Sequence, residues 1–89
     1  MRAVITVIGK DMVGILAEIT GICAKANVNV SDVTQSVLQD LFCMIMMVDI
    51  GACSIPFSAL SDRLKAQGEQ MGLSVSIMHE DIFHSMHRI

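Results

Sequence analysis

Eighty-nine residues, 53% hydrophobic and 17% charged with a net charge of −3, describe a single domain spanning residues 1–89. The six basic residues are scattered and Trp and Tyr are absent, which excludes a nucleic-acid face built from clustered cations and stacking aromatics. No apolar run approaches the ~20 residues of a membrane span, so no membrane partner is expected.

A domain this size buries only ~60–65% of its unfolded surface, and so apolar a chain carries more than one small core can hide. A homodimer or higher homo-oligomer is therefore expected. Three cysteines, Cys23, Cys43 and Cys53, make no disulfide framework and read as free thiols. Met1-Arg2-Ala3 enters a strand pattern at once, without a secretory layout. The expected compartment is the cytoplasm.

The first strand runs from Arg2 to Ile8, with Ala3, Ile5 and Val7 on one face and Val4 and Ile8 on the other. A strand apolar on both faces belongs in the middle of a sheet. Gly9-Lys10-Asp11-Met12-Val13-Gly14 then joins it to a helix with apolar positions Ile15, Leu16, Ile19, Ile22, Cys23 and Ala26. Asp11 is placed as N-cap, Gly14 in the first turn and Asn27 at the C-terminal end. The second strand spans Asn29 to Leu38. Its apolar parity shifts from Val28 and Val30 to Val33 and Val37, which predicts a bulge at Ser31-Asp32.

A Gln39-Asp40 turn leads to a third strand, Leu41 to Ile50, nearly all apolar. Gly51 to Ile55 is a loop, and Pro56 opens a second helix. Its stripe is Phe57, Leu60, Leu64 and Met71, and Gly72 ends it. Leu73 to His79 alternates as a half-exposed strand. Asp81 is placed as the cap of a short last helix with apolar side Ile82, Phe83, Met86 and Ile89.

The order β-α-β-β-α-β plus a helix predicts an α+β, ferredoxin-like sandwich: a four-stranded antiparallel sheet, order 4-1-3-2, with two helices on one face. Its other face carries Cys43, Ile45 and Met47, an apolar patch unless a second copy or the last helix covers it. The fold serves many functions, so the site decides. RNA recognition needs aromatics on the central strands, where this chain has Val, Ile, Cys and Met. The first loop has neither the Cys-x-x-Cys of a soft-metal chaperone nor the Arg of an acylphosphatase. It does have amides at a helix N-terminus, suited to a carboxylate.

Three segments, Gly9 to Leu16, Ala26-Asn27-Val28-Asn29-Val30 and Phe42-Met44-Met46-Val48-Asp49, make the chain resemble the ACT-domain family, and within it the small stand-alone members of no assigned role. Val13 stands where the family commonly has Pro. The resemblance implies a non-catalytic regulatory domain that pairs with itself, binds an amino acid in the interface and acts on a partner in trans. By position, Asp11 and Asn29 match side chains that hold the ligand's polar groups, and the amides of Met12, Val13 and Gly14 match the carboxylate-facing backbone. An Asp at position 11 favours the ligand's ammonium, hence a neutral amino acid.

The same residues also serve a ligand-free dimerising platform, with Asp11 only a cap, Gly14 only a packing glycine and Asn29 only a strand start. A third reading is metal binding by His79, His84 and His87, the last two being neighbours on one helical face. No cofactor is expected, and the chain carries no focused catalytic constellation, so no enzyme is expected. The methionines at core spacings, such as Met44 and Met46, read as core filler.

Overall fold

Alternation along the strands decides how the chain stacks. The computed structural model describes residues 1–10 and 13–86. They form β1 (Arg2–Lys10), α1 (Ile15–Lys25), β2 (Asn29–Leu38), β3 (Leu41–Asp49), α2 (Phe57–Met71), β4 (Leu73–His79) and α3 (Glu80–Met86). The sheet order is β2-β3-β1-β4, with every neighbouring pair antiparallel. This is the expected ferredoxin-like arrangement, with β1 and β3 central.

Ala3, Ile5 and Val7 of β1, Phe42, Met44, Met46 and Val48 of β3, and Leu73, Val75 and Ile77 of β4 form one core with Ile15, Ile19 and Cys23 of α1 and Leu60 and Leu64 of α2. Burying one such aliphatic side chain is worth ~1.5–3 kcal/mol, so this layer carries the fold. Gly68 sets how closely α2 meets the sheet: a Cβ there would lie 2.6 Å from Val75 Cγ2 and 3.0 Å from Leu73 O. The α2 stripe thus runs Leu60, Leu64, Gly68, while Phe57 and Met71 are only half-buried.

Local punctuation explains most element ends. α1 ends on two backbone bonds, Val28 N–H to Cys23 O at 2.8 Å and Asn27 N–H to Ala24 O at 3.2 Å, around Asn27 at φ 58°. That is a left-handed cap with Asn in the usual glycine position. The Asn27 side chain also donates Nδ2–H to Ala52 O at 3.0 Å, fixing the loop after β3. The bulge falls where the parity changes: the β2–β3 register slips between Val30 and Asp32. Ser31 there donates its hydroxyl to Met47 O at 3.0 Å. Gln39, at φ 58°, turns the chain into β3, and Gly72, at φ 71°, ends α2.

Several expectations are corrected. β1 continues past Ile8 to Lys10, because Gly9 and Lys10 still pair with Phe42 and Leu41. The N-cap of α1 is Gly14, whose φ of 92° suits glycine, with no side-chain cap bond. Asp11 therefore sits upstream of the cap position, itself outside the described residues. Pro56 is the N-cap of α2 rather than its first helical residue. α3 begins at Glu80, directly from β4, so Asp81 lies in its first turn.

α3 lies across one end of the sheet face opposite α1 and α2. It contacts β1 and β4. Val4 points to that face and is fully buried, yet it lies outside the helix-side core. The tether is a fork: Arg2 Nε donates to Glu80 Oε2 at 2.8 Å and Nη2 to Oε1 at 2.5 Å. The expected apolar side of α3 is not buried, since Ile82 and Met86 stand 51% and 66% exposed. Ile89 lies outside the described residues.

Candidate functional site

Gly14 and the start of α1 sit at one end of the sheet, beside the second half of β2. Gly14, Ile15 and Leu16 wall a hollow of about 490 Å³ with Gln35, Ser36, Val37 and Phe42. Gly14 leaves this rim open: a Cβ added there would meet nothing within 4 Å. Val13 is fully exposed and Leu16 and Val37 half-exposed, so the hollow has an apolar lip. Asp11 and Met12 lie outside the described residues.

Gln35, Ser36 and Val37 were not singled out from sequence. The signal was present in the parity shift. Beyond the bulge, Val33, Gln35 and Val37 pair with Met46, Met44 and Phe42, hence face the helix side. Yet all of β2 beyond Val30 is exposed. β2 is also an edge strand, so its outer backbone edge is unpaired among the described residues. Native sheets seldom leave a long edge uncovered.

Asn29 is at the far end of β2. It pairs with Asp49 and borders a second hollow, of about 470 Å³, with Asn27, Val28, Gly51 and Ala52. Gln35 is six residues away along β2, roughly 20 Å at ~3.3 Å per residue. Within one chain, Asn29 and Gly14 are therefore not brought together. At the Asn29 end, Asp49 accepts the Gly51 N–H at 2.8 Å, with the Met1 ammonium 3.6 Å away. That backbone bond first, and then the ammonium, hold its carboxyl below the usual carboxylate range.

The histidines are directed elsewhere. His79 stacks on Phe57 with ring centroids 4.5 Å apart. His84 Nε2 meets Glu80 Oε1 at 3.2 Å, and His87 lies outside the described residues. Among the described residues no three His, Cys, Asp or Glu side chains are grouped to hold a metal ion. Burial opposes ionisation of Glu80, but the hydrogen bonds from His84 and Arg2 outweigh it and keep its carboxyl below the ordinary value. Cys23 is on the buried face of α1, and desolvation, reinforced by the charge of Cys53, pushes its thiol up to about 11. Such a thiol is a poor nucleophile. Among the described residues no helix is long and apolar enough to cross a membrane.

Residues 2–78 match the sequence profile of the ACT domain. This chain belongs to the ACT-domain family. ACT domains are regulatory domains that typically bind amino acids. A UPF0237 protein of Methanopyrus kandleri is 43% identical over 88 residues, covering 99% of this chain and 98% of the relative. A UPF0237 protein of Clostridium perfringens is 44% identical over 89 residues, the full length of both. Among solved structures, an ACT domain protein from Streptococcus pneumoniae superposes with a TM-score of 0.80 at 34% identity, covering 93% of each chain.

Proposed function

We propose that this ACT domain is a non-catalytic, cytoplasmic regulatory module that binds an amino acid between two copies of itself and acts on a partner protein in trans. The observation that carries this reading is the split of the candidate site along β2. The amide loop lies at one end, Asn29 at the other, and the strand between them has a free outer edge. A twofold axis across that edge runs two β2 strands antiparallel. Asn29 of one protomer then lies at the loop end of the other, and each dimer holds two composite sites.

In each site the amides of Met12, Val13 and Gly14 take the ligand's carboxylate and Asp11 takes its ammonium. Asn29 of the second protomer closes the polar set, and the ligand's side chain faces the lip formed by Leu16 and Val37. A neutral amino acid fits, because Asp11 pairs with the ammonium and a second carboxylate, on the side chain, would be set against that apolar lip. Ligand in both sites favours one dimer geometry, which the partner reads.

The test is a thermal melt of the protein with each of the twenty amino acids. A ligand at 100 times its Kd adds about 2.7 kcal/mol, enough to raise the Tm by several degrees. One neutral amino acid is expected to do so, and both Asp11→Ala and Asn29→Ala to abolish the shift. Equilibrating the two variants together should restore part of it, since each mixed dimer keeps one intact composite site. Binding that survives both substitutions refutes the composite site. No shift with any amino acid, with the dimer intact, leaves the same edge contact as a ligand-free assembly module.

A further inference from the structure

The helix-side stripe of the sheet thins at the Arg2 end. Along β4 it runs Leu73, Val75, Ile77 and then His79, and β1 sets Ala3 against His79 where the rows before it have Ile5 and Val7. Phe57 opens α2 directly after Pro56 and lays its ring on the His79 ring, the planes 15° from parallel. Ile50 and Ile55 come from the loop after β3. That loop is held by the Cys53 N–H to Ile50 O bond at 3.1 Å and the Ser54 N–H to Ala26 O bond at 2.9 Å. With Leu60 and Met1 these groups surround an apolar hollow of about 180 Å³. Cys53 lines it too, its thiol donating to Ile55 O at 3.3 Å. Met1 and His79 also line a second hollow, of about 410 Å³, whose other residues are Arg2, Glu80 and Asp81. An apolar chamber with a charged vestibule has the form of a small-molecule site. It lies at the other end of β1 from the glycine loop, roughly 25 Å away at ~3.3 Å per residue.

We propose that this end of the sheet binds a small primary amine, its phenyl-sized or branched-alkyl group in the chamber and its ammonium in the vestibule. Size selects the tail. A cavity of roughly 150 Å³ lined by apolar side chains stays dry and takes a benzene ring, and this chamber is of that order. Charge selects the head. The two cations at the vestibule already have partners: Arg2 forks onto both oxygens of Glu80, and the Met1 ammonium stands 3.6 Å from Asp49. Asp81 has no hydrogen bond or ion pair among the described residues. An ammonium entering here therefore gains a charged partner without displacing one. The ring nitrogens of His79 are likewise without a hydrogen bond among the described residues, and a neutral imidazole accepts one from an ammonium. A carboxylate in the same place meets Asp81 and no uncommitted cation, which separates this ligand from an amino acid. Bound, the amine ties the start of α2 to the start of α3. None of this rests on the amino-acid site at the glycine loop.

The experiment uses benzylamine as the probe and Cys53 as the reporter. The full chain is treated with a small thiol-specific reagent, methyl methanethiosulfonate, and modification at each cysteine is followed by peptide mass spectrometry. Cys43, half-buried on the other face of the sheet and paired with Ile8, is the internal control. Benzylamine at about ten times its Kd should slow Cys53 about tenfold and leave Cys43 unchanged. Benzyl alcohol, which lacks the charge, should protect less, and benzoate not at all. Asp81→Asn, an exposed change, should reduce protection by benzylamine to the level of benzyl alcohol. No slowing of a reactive Cys53 overturns the site, and so does equal slowing of Cys43, which reports a general tightening of the fold. Benzoate protecting as well as benzylamine overturns the choice of an amine, and full protection in Asp81→Asn overturns the role of Asp81. If Cys53 does not react even without the probe, thermal melts decide. A Tm rise with benzylamine that Asp81→Asn removes supports the site, and no rise overturns it.

Discussion

Two glycines in the helices provide a matched test of how tightly the layers fit. Gly68→Ala puts a Cβ 2.6 Å from Val75 Cγ2 and 3.0 Å from a main-chain oxygen of β4. Val75 is only 6% exposed, so it has no open space to move into. Overpacking of this kind costs ~1–3 kcal/mol, while Ala in a helix interior recovers ~1 kcal/mol over Gly. With both a side chain and the backbone in the way, the expected net is a loss of about 1–2 kcal/mol. Gly21→Ala in α1 adds the same atom where nothing lies within 4 Å, so only the helical gain of ~0.5–1 kcal/mol applies. For a domain of this size 1 kcal/mol moves the Tm by ~4–8 °C, so the two variants should melt roughly 10 °C apart on opposite sides of wild type. Circular dichroism melts at one protein concentration read this directly. If Gly68→Ala melts at or above Gly21→Ala, α2 does not depend on this close approach to β4.

Two further outcomes follow from polar contacts. Asn27→Ala should lower stability by ~1–2 kcal/mol in urea unfolding, because Ala tolerates the φ of 58° poorly and loses the bond to Ala52 O. Asn27→Gly should recover the backbone part alone; equal losses in both variants would assign the whole effect to the side chain. Glu80 titrates below its ordinary value when folded. Its ion pair with Arg2 therefore contributes above the unfolded carboxylate pKa and is lost as pH falls through the folded one. The Tm gap between wild type and Glu80→Gln should close on acidification from neutral pH to below about 4. A gap that does not depend on pH would show that the carboxylate charge is not what holds α3.

The strand pattern carried most of the fold because β1 and β3 are apolar on both faces and β4 alternates cleanly. Those patterns leave one consistent order for four strands. The parity slip in β2 marked its bulge for the same reason: a period-two element cannot change faces without an extra residue. The helix ends were less legible. Asp11 has the chemistry of a cap, but the left-handed Gly14 starts α1 three residues later, and one residue type does not reveal a neighbour's dihedral angles. α3 misled because its spacing of Ile82, Phe83 and Met86 implies a buried stripe, whereas a seven-residue helix tethered at its first residue covers only Val4's end of the sheet. The candidate site divided because Asn29 and Gly14 stand toward opposite ends of β2, and a motif gives each residue's chemistry but not the distance between them.

The sulfur atoms in the centre of β3 have a practical consequence. The chain has no Trp or Tyr and so lacks the usual fluorescent reporters. Met44 and Met46 are wholly enclosed, while Met1 and Met86 are open to solvent. Dilute peroxide will convert the outer two at once and reach the inner two only when the sheet opens. The rate at which Met44 gains 16 mass units per oxygen is then a label-free clock for that opening. It also defines how the protein wears out: a polar sulfoxide at that position cannot be repacked, so each opening caught by oxidant is irreversible without a reductase.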